Sequence, residues 1–126
     1  MSEIFRFRNL PVYNDARKFN KELKKFINDK YPKEEKYCLT QQTSRALDSI
    51  VLNIAEGSEK YSDIDFSRFL NTSLGSLNEV VACLDVAFDN NYINEEELQY
   101  FLEKAENIYK QLKAFSSKVR KDKYKF

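Results

Sequence analysis

The residue types that most often carry out acid–base and metal chemistry are scarce in this chain. It has no histidine, which removes the commonest general base and the commonest metal ligand together. Cys38 and Cys83 are far apart and fall within helical patterns, so a reduced structural role is favoured over a disulfide or a metal site. The sequence therefore predicts a protein without a catalytic site, a metal or a cofactor.

The acidic clusters have explanations that need no catalysis. Glu95, Glu96 and Glu97 fall in the predicted first turn of a helix, where the macrodipole favours negative charge. Glu56 and Glu79 are conceivable metal ligands, but bundle metal sites generally pair carboxylates with histidine. An enzyme is thus the third hypothesis, behind two kinds of binding protein.

Basic side chains form the first candidate binding surface. The 21 basic and 20 acidic residues nearly cancel, but their distribution is uneven. Clustered cations bind backbone phosphates and release counterions, which makes the binding salt-dependent. The candidate nucleic-acid contacts are Arg6, Arg8, Lys18, Lys21, Lys25, Lys60, Lys118, Arg120, Lys121, Lys123 and Lys125. The alternative is that these strips and the basic tail are solvated and only maintain solubility.

Small polar residues at helical spacing form the second candidate surface. They lie on two predicted helices: Gln42, Arg45, Ser49, Asn53, Glu56 and Gly57 on one, and Thr72, Gly75, Ser76 and Glu79 on the other. One interpretation is a solvated flank. The other is an interface or a buried polar network in which Arg45 pairs with Glu79 or Glu56. Glycine inside a helix costs roughly 1 kcal/mol relative to alanine, so Gly75 favours the second interpretation.

Hydrophobic periodicity predicts the elements that position these residues. Apolar residues recur at helical spacing over four segments, at about 12–30, 34–58, 63–89 and 94–121, and residues 122–126 are expected to fray. Nothing alternates with a period of two. Short connections make neighbouring helices antiparallel, which predicts a single all-α domain over residues 1–126, an up-down-up-down four-helix bundle.

The predicted topology also separates charge along the bundle. Both termini and the connection between the second and third helices meet at one end, which collects most of the basic candidates. The opposite end collects Asp85, Asp89 and Glu95 to Glu97, diluted by Lys30, Lys33 and Lys36. No segment approaches the roughly 20 apolar residues of a membrane span, and the N-terminus does not read as a signal peptide. These features predict a cytoplasmic location.

Two motifs resemble a known family. The segment from Arg45 to Gly57, RALDSIVLNIAEG, is similar to a signature of the bacterial four-helix-bundle proteins encoded in 23S rRNA intervening sequences. Phe69-Leu70 followed by Gly75-Ser76-Leu77-Asn78-Glu79 resembles that family's second signature, and the opening FRNLPVY also fits. Ser73 stands where alanine is expected, a small departure.

The resemblance implies a homo-oligomer, a ring that is expected to be a pentamer. It further implies kinship with the accessory variability proteins of diversity-generating retroelements, which bind nucleic acid and reverse transcriptase. Two functions stay open at this point. One is a nucleic-acid-binding accessory protein acting on RNA or DNA through the basic end. The other is a scaffold that binds only itself and a partner protein.

Overall fold

Four long helices pack into a bundle. The computed structural model describes residues 4–59 and 62–123, with only the backbone of residues 120–123. The helices are α1 (Pro11–Lys30), α2 (Leu39–Gly57), α3 (Asp63–Asp89) and α4 (Glu95–Lys123), and short 3₁₀ helices span Arg6–Asn9 and Lys33–Glu35. The described ranges contain no strand. The predicted all-α four-helix bundle is confirmed.

Side-chain contacts show the antiparallel order of the helices. Asp15 near the start of α1 accepts a hydrogen bond from Gln111 late in α4, with Oδ2 2.8 Å from Nε2. Phe26 late in α1 packs on Phe101 early in α4, with ring centroids 4.9 Å apart. α2 and α3 pack together as well, as do α3 and α4. These contacts fit the predicted up-down-up-down arrangement.

The second helix begins later than the expected residue 34. After Pro32 the chain forms a 3₁₀ turn, and Cys38 then has φ −120° and ψ −103°, which no α-helix continues. Glu35 anchors this turn, because its carboxylate accepts the Leu39 backbone N–H at 3.3 Å and the Tyr92 hydroxyl at 2.7 Å. Cys38 is therefore an exposed residue before α2, and the expectation that it lies inside a helix was wrong.

Capping residues mark the N-terminal starts of α3 and α4. The Ser62 hydroxyl accepts the Asp65 backbone N–H at 3.1 Å. Asn94 and Glu97 form a reciprocal capping box, with backbone N–H to side-chain oxygen distances of 2.8 and 2.9 Å. α4 extends to Lys123, past the expected end at residue 121, and residues 124–126 of the expected frayed tail lie outside the described residues.

The core is aliphatic, and every helix contributes to it. Its largest fully buried aliphatic side chains are Leu23, Ile27, Leu47, Ile50, Ile54, Leu70, Leu77, Leu84, Ile108 and Leu112. Each burial removes apolar surface from water, which is the main favourable term in folding. The apolar stripes predicted from helical spacing thus face one another.

Small residues bring α2 close to α3. A Cβ atom built on Gly57 would lie 2.6 Å from Cβ of Phe69 and 3.0 Å from Cδ1 of Phe66, so only glycine fits. Further along the same pair of helices, the buried Ser73 hydroxyl donates to the Ile50 carbonyl at 2.9 Å. The α2–α3 contact therefore depends on residues with little or no side chain.

We expect Gly57→Ala to lower the free energy of unfolding by about 1–3 kcal/mol, because the added methyl overpacks the contact with Phe69. Gly75→Ala is the matched control, since no heavy atom lies within 4 Å of a Cβ at position 75. Urea unfolding of both variants measures the difference, at a concentration where both have the same oligomeric mass. Equal stability of the two variants would contradict the close contact at Gly57.

Candidate nucleic-acid and protein interfaces

An open groove of about 510 Å³ runs between α1 and α2. We call it the basic groove. It is lined by Asn14, Arg17, Lys18, Asn20, Lys21, Asp48, Val51 and Leu52. Its three exposed cations come from one face of α1, and its apolar floor comes from α2, where 63% of Leu52 is exposed.

The one carboxylate in the basic groove is already paired. Lys24 Nζ lies 2.6 Å from Asp48 Oδ1, and Asn20 Nδ2 donates to the same oxygen at 3.0 Å. Partial burial acts to raise the pKa of Asp48, but the hydrogen bonds from Lys24 and Asn20 outweigh it and lower the pKa. Asp48 thus stays ionised, and its charge is neutralised by Lys24 rather than by the groove's other cations.

Three cations of the basic groove have no acidic partner. Across residues 4–59 and 62–123, Arg17, Lys18 and Lys21 form no ion pair; Arg17 lies over the Tyr13 ring, 5.7 Å from its centroid. Arg17 was not among the predicted residues. Its position four residues before Lys21, on the same side of α1, was the signal that would have identified it.

The other predicted basic residues have different surroundings. Lys25 pairs with Asp29 at 3.4 Å, a contact within one helix. Arg6 and Arg8 are exposed on the 3₁₀ turn before α1, and Lys118 is exposed late in α4. The Asn14 side chain holds that turn in place by donating to the Arg8 carbonyl at 3.0 Å. Lys60 and Lys125 lie outside the described residues, and the side chains of Arg120, Lys121 and Lys123 are likewise not described.

The two small-polar strips meet at the outer edge of the α2–α3 contact. Ser49 Oγ and Ser76 Oγ lie 2.7 Å apart, and Asn53 Nδ2 donates to the Ser49 carbonyl at 2.8 Å and to its hydroxyl at 3.0 Å. These three side chains are half-buried. Gly57 is buried and belongs to the helix contact below them. A polar network between the helices therefore exists, centred on Ser49.

The remaining strip residues surround this network and are exposed, and we call them the small-residue face. They are Gln42, Arg45, Glu56, Thr72, Gly75 and Glu79. The expected pairing of Arg45 with Glu79 or Glu56 was wrong within one chain, since in the described part of the structure none of the three side chains forms an ion pair. Arg45 and Glu79 instead line a shallow depression of about 360 Å³ beside Tyr37.

No contact within the bundle explains why position 75 is a glycine. It is exposed, and nothing lies within 4 Å of a Cβ built on it. The small-residue face is therefore exposed and has no large side chain at Gly75. Among the described side chains, its charged residues Arg45, Glu56 and Glu79 form no ion pair. The described ranges contain no cluster of three or more cysteine, aspartate or glutamate side chains suited to a metal ion.

Comparison with known proteins identifies a family match and a similar solved structure. Residues 8–114 match the model of the 23S rRNA-intervening sequence protein family. The chain belongs to this family. The chain is similar to a crystal structure of a protein of unknown function from the S23 ribosomal protein family of Bacteroides thetaiotaomicron VPI-5482. The two sequences are 25% identical, and the structures superpose with a TM-score of 0.73. The match covers 83% of this chain and 97% of that chain. No curated protein matches the chain.

The family match includes some candidate surfaces and omits others. It covers the basic groove, the small-residue face and Arg8, all within residues 8–114. It ends before the basic segment 118–126 and begins after Arg6.

Among the described residues, no helix is both long and apolar enough to span a bilayer.

Proposed function

We propose that this protein is a cytoplasmic, non-enzymatic homo-oligomer that binds RNA or DNA as an accessory protein. The observation that carries the proposal is the basic groove, where Arg17, Lys18 and Lys21 are exposed side by side without acidic partners. Unpaired cations on one helix face match a row of phosphates, and neutralising each phosphate releases counterions. Val51 and Leu52 add an apolar floor suited to sugars and base edges.

The basic end extends this surface. Arg6 and Arg8 precede the same end of α1 that carries Arg17 and Lys18, and α4 brings the exposed Lys118 to that end of the bundle. The sequence adds Lys60, Arg120, Lys121, Lys123 and Lys125. An oligomer would repeat the surface on every subunit, so that several weak contacts add through avidity.

The small-residue face supports the oligomeric part of the proposal. Gly75 lies inside α3, and no contact within its own chain requires a glycine there. Because glycine in a helix costs stability, its presence is consistent with close packing by another subunit. Arg45, with Glu56 or Glu79, would then pair across the subunit boundary rather than within the chain. A pentameric ring, which the family resemblance implies, is the proposed assembly. The implied kinship with accessory variability proteins points to the same nucleic-acid role.

A protein scaffold is the second candidate function. The specific observation in its favour is the same small-residue face, because an exposed surface of small and polar side chains beside Tyr37, itself 74% exposed, also fits a different polypeptide. A scaffold of this kind would not respond to heparin, whereas a polyanion competes for a nucleic-acid surface.

Reversing two charges of the basic groove tests the nucleic-acid role. We expect Lys18→Glu with Lys21→Glu to weaken binding to a labelled structured RNA by about tenfold or more, and to reduce the slope of log K against log salt by about 2. Fluorescence anisotropy across a salt series measures both quantities. The matched control is Lys110→Glu with Lys113→Glu, the same charge change on exposed positions of α4. Equal losses in both double variants would show that the basic groove has no specific role.

A bulky charge at Gly75 tests the oligomer. We expect Gly75→Arg to reduce the oligomeric mass while the helical circular dichroism of the bundle is kept, because position 75 is open within one chain but would lie between subunits. Ala114→Arg, at an exposed position in the middle of α4, is the control. Light scattering after size exclusion reports the mass. An unchanged oligomer in Gly75→Arg would remove the small-residue face from the interface.

A further inference from the structure

A second groove, between α1 and α4 at the opposite end of the bundle from the basic end, has aromatic walls. Phe26 and Phe101 pack with ring centroids 4.9 Å apart, and Tyr100 meets Phe101 edge to face at 5.0 Å. Tyr100 is 47% exposed. The groove measures about 410 Å³, and its other lining residues are Glu22, Lys25, Asp29, Glu96 and Glu97. We call it the aromatic groove.

The charged rim of the aromatic groove has an acidic excess. Its lining holds four carboxylates and one lysine. Lysines compensate most of this charge, because Lys25 lies 3.4 Å from Asp29, Lys104 lies 3.7 Å from Glu22 and Lys30 lies 3.2 Å from Glu97. The exposed Glu96 side chain has no ion pair within the described part of the chain. Such exposed pairs are weak and can exchange partners with an incoming cation.

This chemistry fits a lysine-rich segment with aromatic side chains, and the chain itself contains one. Residues 121–126 read Lys-Asp-Lys-Tyr-Lys-Phe, in which three lysines alternate with an acidic and two aromatic residues. Tyrosine or phenylalanine rings pack favourably on an exposed aromatic ring such as Tyr100, and lysine is attracted to carboxylates and to ring faces. Lys104 already lies over the Tyr100 ring, 4.9 Å from its centroid, which shows that this ring accepts a cation. We propose that the aromatic groove binds segment 121–126 of a second copy of this chain.

The distance along α4 shows why the segment must come from another copy. Phe101 and Lys123 lie on the same helix, and at about 1.5 Å per residue their backbones are separated by roughly 33 Å. The three residues after Lys123 span at most about 11 Å when fully extended. A segment that begins at the end of α4 therefore cannot return to its own groove.

The contact would be head-to-tail, joining the basic end of one copy to the acidic end of the next. Such heterologous contacts close into a ring or continue as a filament. The inference requires neither nucleic-acid binding nor the small-residue face. Lys121, Lys123 and Lys125 would bind either the aromatic groove or a nucleic acid at one time, whereas Arg17, Lys18 and Lys21 of the basic groove stay available in both cases. The Lys18 and Lys21 double variant is accordingly expected to leave it intact, and this separates its failure from failure of the proposed function.

Photo-cross-linking of the full chain tests this contact. Phe126 is replaced by p-benzoylphenylalanine, and ¹⁵N-labelled and unlabelled copies are mixed before irradiation. We expect mixed-isotope cross-links from position 126 to peptides containing residues 22–29 or 96–101, located by mass spectrometry. The same photoreactive residue at Tyr109, an exposed position in the middle of α4, should give none. Links to another surface or another protein, links within one copy only, or no link above the Tyr109 control would overturn the proposal.

A charge variant tests whether the rim of the aromatic groove attracts the segment. Glu96→Lys is expected to reduce the yield of these cross-links several-fold, because it replaces the unpaired carboxylate of the rim with a cation. Glu106→Lys, the same change at another exposed position of α4, is expected to leave the yield unchanged. Thermal melts establish that both variants are folded. Equal yields in the two variants would show that the rim charge does not attract the segment.

Discussion

The helices α2 and α3 pack so closely that position 57 has no space for a side chain. This close approach requires a missing Cβ at Gly57 and small hydroxyl side chains at Ser49, Ser73 and Ser76, which hydrogen-bond across or along the contact instead of separating the helices. α1 packs less extensively on α2 and α4 than α3 does. Grooves therefore remain on both of its flanks, and they differ in charge because different residues of α1 line them. The two grooves thus lie on the flanks of α1, while the small-residue face lies at the outer edge of the α2–α3 contact.

Charge pairing gives each surface its character despite a net charge close to zero. Lys24 neutralises Asp48, and among the described side chains the three cations of the basic groove, Arg17, Lys18 and Lys21, have no acidic partner. On the far flank, Tyr100 and Lys104 both contact Glu22, and Lys30 contacts Glu97, yet Glu96 stays unpaired. The distribution of ion pairs, rather than the total charge of +1, thus sets the local charge of each surface.

The fold could be predicted from sequence wherever local signals agree with one another. Ser62 and the Asn94–Glu97 capping box mark helix starts, and the structure places α3 over the predicted 63–89. The start of α2 could not be predicted, because Glu35 sets it through a bond to Tyr92, a residue distant in sequence. Helical spacing also correctly aligned Ser49 with Asn53, but it does not reveal whether Arg45 and Glu79 reach each other across two helices. The aromatic groove was missed for the same reason, since its rings come from α1 and α4.

We propose above all that an oligomer of this chain binds nucleic acid through unpaired cations. The most direct measurement is sedimentation velocity of the full chain with a labelled structured RNA, and separately with a DNA duplex, at low and moderate salt. The account predicts an oligomer larger than the 15.0 kDa chain that binds at least one probe at low salt and loses affinity as salt rises. A chain that sediments as a monomer, or an oligomer that binds neither probe at low salt, would contradict it.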